Sequence, residues 1–232
     1  MYSLNYETRY GDFKTFDKIK PSAVMDFIQD IATLHSEECG YGMKKLREMG
    51  IAWLMQGIKV HFESPVKTFD SLSVSTAVKD MKGVVSERGT LISQNGELKA
   101  KAVAAWFMID TNRMRPIRIP NEITEKYGTY DFKDDFFNYK KCTVLETEKA
   151  YSITVRNREI DTNNHLNNQK SAEILMDALP FDFEFTDMNI FYKKAAYLGD
   201  DLEVCIKQIE NGYYVHLQTI EKEICVAGVF TV

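Results

Sequence analysis

The chain has 232 residues, 44% of them hydrophobic, and a formal net charge of −5 at pH 7. This hydrophobic content can build the core of one large or two small domains, which excludes a disordered chain. The negative charge argues against broad, sequence-independent nucleic-acid binding, which usually needs a basic face. The N-terminus lacks a signal-peptide pattern, and no apolar run reaches about 18 residues. We therefore expect a cytoplasmic protein without a membrane span.

The cysteines predict neither a metal centre nor a disulfide framework. Cys39, Cys142, Cys205 and Cys225 lie far apart, and none belongs to a CxxC pair. Paired spacings of that kind are typical of zinc sites and of small disulfide-rich folds. We therefore expect reduced thiols and no bound metal.

The first predicted element is a helix over residues 21–35. Val24, Ile28 and Ile31 follow one another at helical spacing, and Pro21 suits a first turn. After Gly50 the pattern changes to strands separated by turn residues, and a helix followed by antiparallel strands is an α+β arrangement. The predicted strands are IAWLMQGIKVHF, SLSVSTAV, GVVSERGTLIS and KAVAAWFMI.

The same order of elements recurs further along the chain. Residues 58–74 align without a gap on residues 188–204, at an offset of 130. Two further matches are Asp12 and Ser22 with Asp161 and Ser171, at an offset of 149, and Val103–Ala105 with Val226–Gly228. The change of offset predicts a longer helix and following loop in the first half. A chance match between short strand patterns is the alternative.

Two copies of a sheet around a long helix describe two tandem hotdog domains. The polar stretch from Pro116 to Lys141 is rich in charge and turn residues, as expected of a connection. We therefore predict an N-terminal domain over residues 1–115, a linker over 116–141 and a C-terminal domain over 142–232.

The candidate chemistry lies between Arg158 and Pro180. Nucleophile-elbow, P-loop and HExxH motifs are missing from the chain. Asp161, Asn163 and His165 alternate, so an extended backbone would project a carboxylate, an amide and an imidazole to one side. The following helix would offer free N–H groups to an oxyanion. The alternative interpretation is a turn with an N-cap.

Three segments carry a family resemblance. DTNNHLNN, residues 161–168, resembles the D-x-N-x-H-x-N-N motif of acyl-acyl carrier protein thioesterases from plants and bacteria. Trp106–Ile109, with the basic, proline-ended stretch after it, is similar to that family's W-x-M-M strand end and linker. Residues 51–76 are similar to its first half. The resemblance implies a double hotdog fold and hydrolysis of the thioester between a fatty acyl chain and the phosphopantetheine arm of acyl carrier protein.

One departure from the family concerns its Glu-Cys pair, to which catalytic roles have been assigned. Plant members carry this pair after a Tyr and two basic residues. Here Tyr192-Lys193-Lys194 is followed by Ala195-Ala196. We therefore do not expect a covalent cysteine mechanism, and the loss of the glutamate leaves the strength of the activity open.

The resemblance gives the remaining residues their expected roles. We expect water to attack the thioester, with Asp161 or His165 taking its proton and Asn163 holding water or substrate; direct attack by the carboxylate is the alternative. Met25, Ile28 and Ile31 are expected to wall the acyl-chain pocket, although plain core packing explains them equally well. Docking of the acidic carrier protein is expected at Arg113, Arg115, Arg118, Lys193 and Lys194.

Two other functions fit the same fold. A hydroxyacyl-thioester dehydratase also uses a His and a carboxylate, and an acyl-thioester sensor would bind without turnover. We expect no metal or organic cofactor, because the substrate itself carries the phosphopantetheine. One chain already supplies two halves, so we expect either a monomer or a homodimer.

Overall fold

A computed structural model gives the fold and describes residues 1–15 and 17–232. Two units divide the chain, Met1–Tyr139 and Lys140–Val232. Each unit is an antiparallel sheet with a helix on one face, and the two are described in turn.

The first unit has a long sheet in the order β1-β5-β6-β7-β4, with a short strand β8 on β7 and a separate pair of strands β2 and β3. Its strands are β1 (Tyr2–Glu7), β2 (Phe13–Thr15), β3 (Lys18–Ile19), β4 (Ile51–Phe62), β5 (Ser71–Lys82), β6 (Val85–Gln94), β7 (Glu97–Asp110) and β8 (Arg115–Pro116). Its helices are α1 (Pro21–Glu38), α2 (Met43–Glu48) and α3 (Asn121–Tyr127).

Helix α1 is the core element of this unit, and it confirms the predicted helix. Pro21 occupies the first turn, where its missing N–H costs nothing. The helix packs against β5 and β1. Val24, Ile28 and Ile31 are buried to 2% exposure or less, so the apolar stripe in the sequence is the face that the sheet covers.

The second unit repeats this plan in a shorter form. Its sheet runs in the order β10-β13-β12-β11-β9, and its helix packs against β12 and β13. The elements are β9 (Glu148–Thr154), α4 (Asn168–Asp177), β10 (Asp187–Tyr192), β11 (Asp201–Ile209), β12 (Gly212–Thr219) and β13 (Ile224–Thr231).

The internal repeat is confirmed, with one correction. The ends of β4 and β10, and the starts of β5 and β11, are related by the offset of 130. Upstream, the predicted offset of 149 is wrong and the structure gives 147. Arg9 N–H donates to Asp12 Oδ2 at 2.7 Å, and Arg156 N–H donates to Glu159 Oε2 at 2.8 Å, each in a matching 3₁₀ turn. Asp12 therefore corresponds to Glu159 and not to Asp161.

The difference between the two offsets falls where it was predicted. Helix α1 has 18 residues and is followed by α2, whereas α4 has 10 residues. Together with the common strand order, this confirms the predicted α+β class of two tandem hotdog halves.

The polar stretch that follows β8 carries structure of its own. Helix α3 buries Ile123 and Tyr127, and the 3₁₀ turn Asp135–Phe137 buries Phe137, all inside the first unit. The second unit begins at Lys140. Along the described ranges 1–15 and 17–232, no helix combines the length and apolar character needed to cross a membrane.

Candidate active site

A short hairpin loop in the second unit carries the three predicted catalytic side chains. Ile160 and Leu166 form an antiparallel bridge that closes this loop. Asp161 N–H donates to the His165 carbonyl at 3.0 Å, and Asn164 N–H donates to the Asp161 carbonyl at 3.1 Å. Asn164 has a φ of 63°, in the left-handed region that asparagine tolerates. The predicted extended backbone is therefore wrong, because the chain reverses here in a tight turn.

The turn nevertheless brings Asp161, Asn163 and His165 together. Asp161 Oδ1 accepts from Asn163 N–H at 2.7 Å, and its Oδ2 accepts from Asn163 Nδ2 at 3.4 Å. His165 Nδ1 lies 3.7 Å from Asp161 Oδ1, too far for a hydrogen bond but within ion-pair range once the ring is protonated. The carboxylate is thus held from one side by Asn163 and faces the imidazole on the other.

These side chains remain accessible to a substrate. The Asp161 side chain is 18% exposed and the His165 side chain 24%, while Asn163 is exposed. Asn163 Oδ1 accepts no hydrogen bond within the part of the chain that the structure describes. A water molecule beside the carboxylate could therefore donate a hydrogen bond to Asn163 Oδ1 and direct its other hydrogen towards Asp161 or His165.

Helix α4 starts directly after the loop, and Asn167 caps it. Asn167 Oδ1 accepts from Gln169 N–H at 2.8 Å and from Lys170 N–H at 3.2 Å. Two of the helix N–H groups expected to hold an oxyanion are therefore occupied, which corrects that expectation. The N-cap interpretation applies to Asn167, whereas Asp161 caps the turn of its own loop. Asn168 N–H has no acceptor among the described residues.

Replacing Asn167 by Ala should lower the free energy of unfolding by about 1 kcal/mol, the usual cost of losing an N-cap. Chemical denaturation of the variant and the wild type measures this difference. Asn167→Ser retains an acceptor at the same position and is the matched control. Equal stability of Asn167→Ala and the wild type would show that the cap contributes nothing.

The segment after β10 anchors the hairpin loop. Leu166 N–H donates to the Ala196 carbonyl at 2.7 Å, and Ala196 is only 3% exposed. The edge of the His165 ring faces the Tyr197 ring at a centroid distance of 6.5 Å. At the position of the plant Glu-Cys pair, this chain thus supplies a backbone tether and two methyl groups. Sequence reasoning missed Tyr197, because a lone aromatic residue in a turn carries no periodic signal.

The thiols of the second unit are poorly suited to nucleophilic attack. Cys142, Cys205 and Cys225 are free, and burial raises the pKa of each thiol. A raised pKa favours the protonated thiol, whereas the thiolate is the nucleophile. The candidate reactive groups of this site are therefore the oxygen and nitrogen atoms of Asp161, Asn163 and His165.

The first unit has a hairpin at the equivalent position but different side chains on it. The Phe13–Ile19 pair between β2 and β3 corresponds to the Ile160–Leu166 bridge at the offset of 147. Lys14 and Lys18 stand where the second unit has Asp161 and His165. Within residues 1–15 and 17–232, the carboxylate and imidazole therefore occur together in the hairpin of the second unit and not in that of the first.

The predicted acyl-pocket residues lie on the inner face of α1. Met25, Ile28 and Ile31 are 4%, 2% and 0% exposed. They belong to the core of the first unit, and their role as a pocket wall stays a prediction.

The predicted docking residues are exposed in both units. Arg113, Arg115 and Arg118 lie in the first unit, around the short strand β8, and Lys193 and Lys194 follow β10 in the second. Backbone hydrogen bonds from Arg113 and Asn112, together with the nearby arginines, lower the pKa of Asp110. Lys194 forms an ion pair with Glu223. The three arginines therefore contribute more positive charge than the two lysines.

Comparison with solved structures defines the class of fold as a double hotdog. An acyl-ACP thioesterase from Bacteroides thetaiotaomicron superposes with a TM-score of 0.91 at 16% identity, covering 99% of this chain and 96% of that one. The 12:0-ACP thioesterase from Umbellularia californica gives a TM-score of 0.86 at 17% identity, covering 99% and 96%. At these identities the likeness concerns the fold alone.

The chain belongs to the acyl-ACP thioesterase family. The profile of the acyl-ACP thioesterase N-terminal domain matches residues 1–127, and that of the C-terminal domain matches residues 143–228. The chloroplastic acyl-[acyl-carrier-protein] hydrolase FATB3 of Cuphea viscosissima is 23% identical over 221 residues, which cover 85% of this chain and 54% of the relative. The chain thus spans about half the length of this curated relative.

Proposed function

We propose that this protein hydrolyses the thioester of fatty acyl-acyl carrier protein to a free fatty acid and the carrier protein. The observation that carries the proposal is the loop in which Asp161, Asn163 and His165 converge, in a chain of this family. The named activity of the Cuphea relative supports it.

In the proposed reaction, a water molecule attacks the thioester carbonyl carbon while Asp161 or His165 takes its proton. The side-chain oxygen of Asn163 accepts the second hydrogen of the water and orients it. Asn168 N–H, at the positive end of α4, stabilises the oxyanion. The carbon–sulfur bond then breaks, and the phosphopantetheine sulfur leaves as a thiol after taking up the proton that Asp161 or His165 removed from the water. This route needs no metal or organic cofactor.

The acyl chain is proposed to enter the first unit along α1. Met25, Ile28 and Ile31 present an apolar face, and burying a fatty chain against it gains about 0.8 kcal/mol for each methylene group. A monomer or a homodimer fits this arrangement, and the cytoplasmic location stays a prediction.

The arginines around β8 are proposed to attract the acidic carrier protein. Reversing the charge of Arg113, Arg115 and Arg118 together should lower kcat/KM for acyl-acyl carrier protein by about tenfold at low salt, mainly through slower association. Hydrolysis of the matching coenzyme A thioester should change little, which separates docking from chemistry.

The control for this docking variant is Lys207→Glu, which reverses an exposed charge near the C-terminal end of β11 in the second unit. Steady-state kinetics between about 50 and 200 mM salt, where charge screening increases, make the comparison. Salt-independent KM values for carrier-linked substrate, or equal losses with both substrate types, would count against docking at the arginines.

The decisive experiment is fatty acid release from acyl-acyl carrier proteins of different chain lengths, with the matching coenzyme A thioesters in parallel. The proposal is supported if free acid is released faster from the carrier-linked substrates than from the coenzyme A thioesters. An enoyl thioester product would identify a dehydratase, and stable binding without release would identify an acyl-thioester sensor. Either of the last two results overturns the proposed hydrolysis.

A further inference from the structure

The inner face of the first unit's sheet holds a buried arginine that the hydrolysis does not use. Arg88, on β6, is 5% exposed, and its guanidinium carbon lies 5.7 Å from the centre of the Tyr127 ring. Within the described residues, no carboxylate forms an ion pair with it. A buried charge without a partner is expensive, so such groups are normally paired.

The guanidinium has unused hydrogen-bonding capacity. Arg88 Nη1 donates to His35 Nδ1 at 2.8 Å and lies 3.4 Å from Thr76 Oγ1. An arginine carries five N–H donors, and those on Nε and Nη2 meet no acceptor in the part of the chain that the structure describes. Two N–H groups side by side match the two oxygens of a carboxylate.

The neighbouring histidine does not compensate the charge. Burial, reinforced by the positive charge of Arg88, lowers the pKa of His35 to about 4. Burial also lowers the pKa of Arg88, but only to about 10. At neutral pH the arginine is therefore charged and the histidine neutral. Because His35 Nδ1 accepts from Arg88, its Nε2 carries the proton and is a donor.

Two further polar side chains share the face of the sheet that carries Arg88. Ser86 pairs with Trp106, next to the pair of Arg88 with Ala104, so Trp106 and Arg88 are diagonal neighbours. Trp106 Nε1 is buried and has no hydrogen-bond partner. Thr76 Oγ1 donates to the Gly89 carbonyl at 2.9 Å and accepts from Arg88 Nη1 at 3.4 Å, so its hydroxyl holds the guanidinium in place. This group of residues, which we call the Arg88 cluster, comprises Arg88, His35, Thr76 and Trp106 and contains no acid.

The residues of β7 directly across from Arg88 and Thr90 have small side chains. Ala104 lies directly across from Arg88 on β7, and Ala102 lies across from Thr90. Arg88 therefore has a methyl group directly across from it on β7, with Trp106 as the diagonal neighbour and no acid at either position.

The cluster lies at the end of the proposed acyl wall. His35 follows Ile31 by four residues and Ile28 by seven, so all three share one face of α1. At 1.5 Å per residue, His35 is roughly 6 Å beyond Ile31 along the helix. A chain that follows the apolar face of α1 towards its C-terminus therefore reaches a positive, donor-rich end.

We propose that the Arg88 cluster binds a carboxylate at the distal end of the acyl chain, so that the preferred substrates are ω-carboxyacyl thioesters. This inference rests on the proposed thioesterase function and specifies its substrate class. Arg88 is the specificity-determining residue, with His35 and Trp106 as additional donors.

The test compares matched pairs of acyl-acyl carrier proteins of six to sixteen carbons, ending in a carboxylate, a hydroxymethyl or a methyl group. At the best chain length, the wild type should hydrolyse the carboxylate-ended substrate with a kcat/KM at least about tenfold higher than that of the methyl-ended one. A ratio of this size is what a hydrogen bond to a charged group usually contributes. A methyl-ended preference at every length would overturn the inference while leaving thioesterase activity intact. Failure to hydrolyse any substrate would overturn the proposed function itself.

Variants then assign the preference to Arg88. In Arg88→Met the ratio between carboxylate-ended and methyl-ended substrate should fall to about one, and Arg88→Lys should retain part of it, because it keeps the charge without the planar fork. Lys99→Met is the matched control, since Lys99 is also buried in this sheet but pairs with Glu97 at 2.9 Å. An unchanged ratio in Arg88→Met would overturn the assignment. If that variant does not fold, the wild-type ratios still decide the inference.

Discussion

Asp161→Asn is expected to lower kcat for acyl-acyl carrier protein by about two orders of magnitude or more. The substitution keeps the shape of the side chain and an oxygen that can accept from Asn163 N–H, the contact now made at 2.7 Å. It removes the negative charge that would take a proton from water or stabilise a protonated His165. Acid–base groups of this kind usually contribute about 10²- to 10⁴-fold. Single-turnover hydrolysis of a radiolabelled acyl thioester measures the loss at the chemical step.

The control for this variant is Asp200→Asn. Asp200 Oδ2 accepts from Tyr197 N–H at 2.8 Å, in the turn that follows Ala196. Asp200 lies in a neighbouring turn, so Asp200→Asn tests whether the loss of any carboxylate near the hairpin loop is enough to reduce kcat. Near-normal kcat in Asp161→Asn, or equal losses in both variants, would remove Asp161 from the chemistry.

Much of the fold could be predicted because its signals are local. The stripe of Val24, Ile28 and Ile31 indicated α1, and turn residues between strand-like segments indicated the strands β4 to β7. The repeat was found from matching corners, and its gapless part over residues 58–74 is reproduced by β4 and β5. The upstream offset was wrong by two residues, because single identities such as Asp12 do not fix a register, whereas paired hydrogen bonds do.

The site could be predicted in composition but not in backbone geometry. Alternating residues suggested an extended strand, whereas the left-handed Asn164 reverses the chain, and a sequence gives little warning of one positive φ. The two asparagines that end the motif also differ in role. Asn167 caps α4 while Asn168 leaves its N–H free, a distinction that depends on where the helix begins.

The Arg88 cluster illustrates a second limit of sequence reasoning. Within β6 an arginine among serine, glutamate and threonine suggests a solvent-facing position. Only the pairing of β6 with β5 and β7 shows that Arg88 faces α1 and His35 rather than water. Tertiary contacts decide which polar groups are buried on an inner sheet face, and a single sequence does not reveal those contacts.

His165→Gln is expected to lower kcat by about 100-fold. The combined Asp161→Asn, His165→Gln variant should be only slightly slower than the slower of the two single variants. His165 Nδ1 and Asp161 Oδ1 are 3.7 Å apart, so binding of substrate or protonation of the ring needs only a small movement to form an ion pair. Groups that act as one unit give strongly non-additive losses, because removing either already disables the other. Single-turnover rates of the four proteins complete the cycle.

Tyr197→Phe is the control for the imidazole, since the ring that contacts His165 edge-on is retained while the hydroxyl is lost. It should keep kcat within about twofold of the wild type, as expected for a change that leaves packing intact. Fully additive losses in the double variant would mean that Asp161 and His165 act in separate steps. In that case His165 would be better placed to protonate the departing sulfur, with Asp161 alone activating the water.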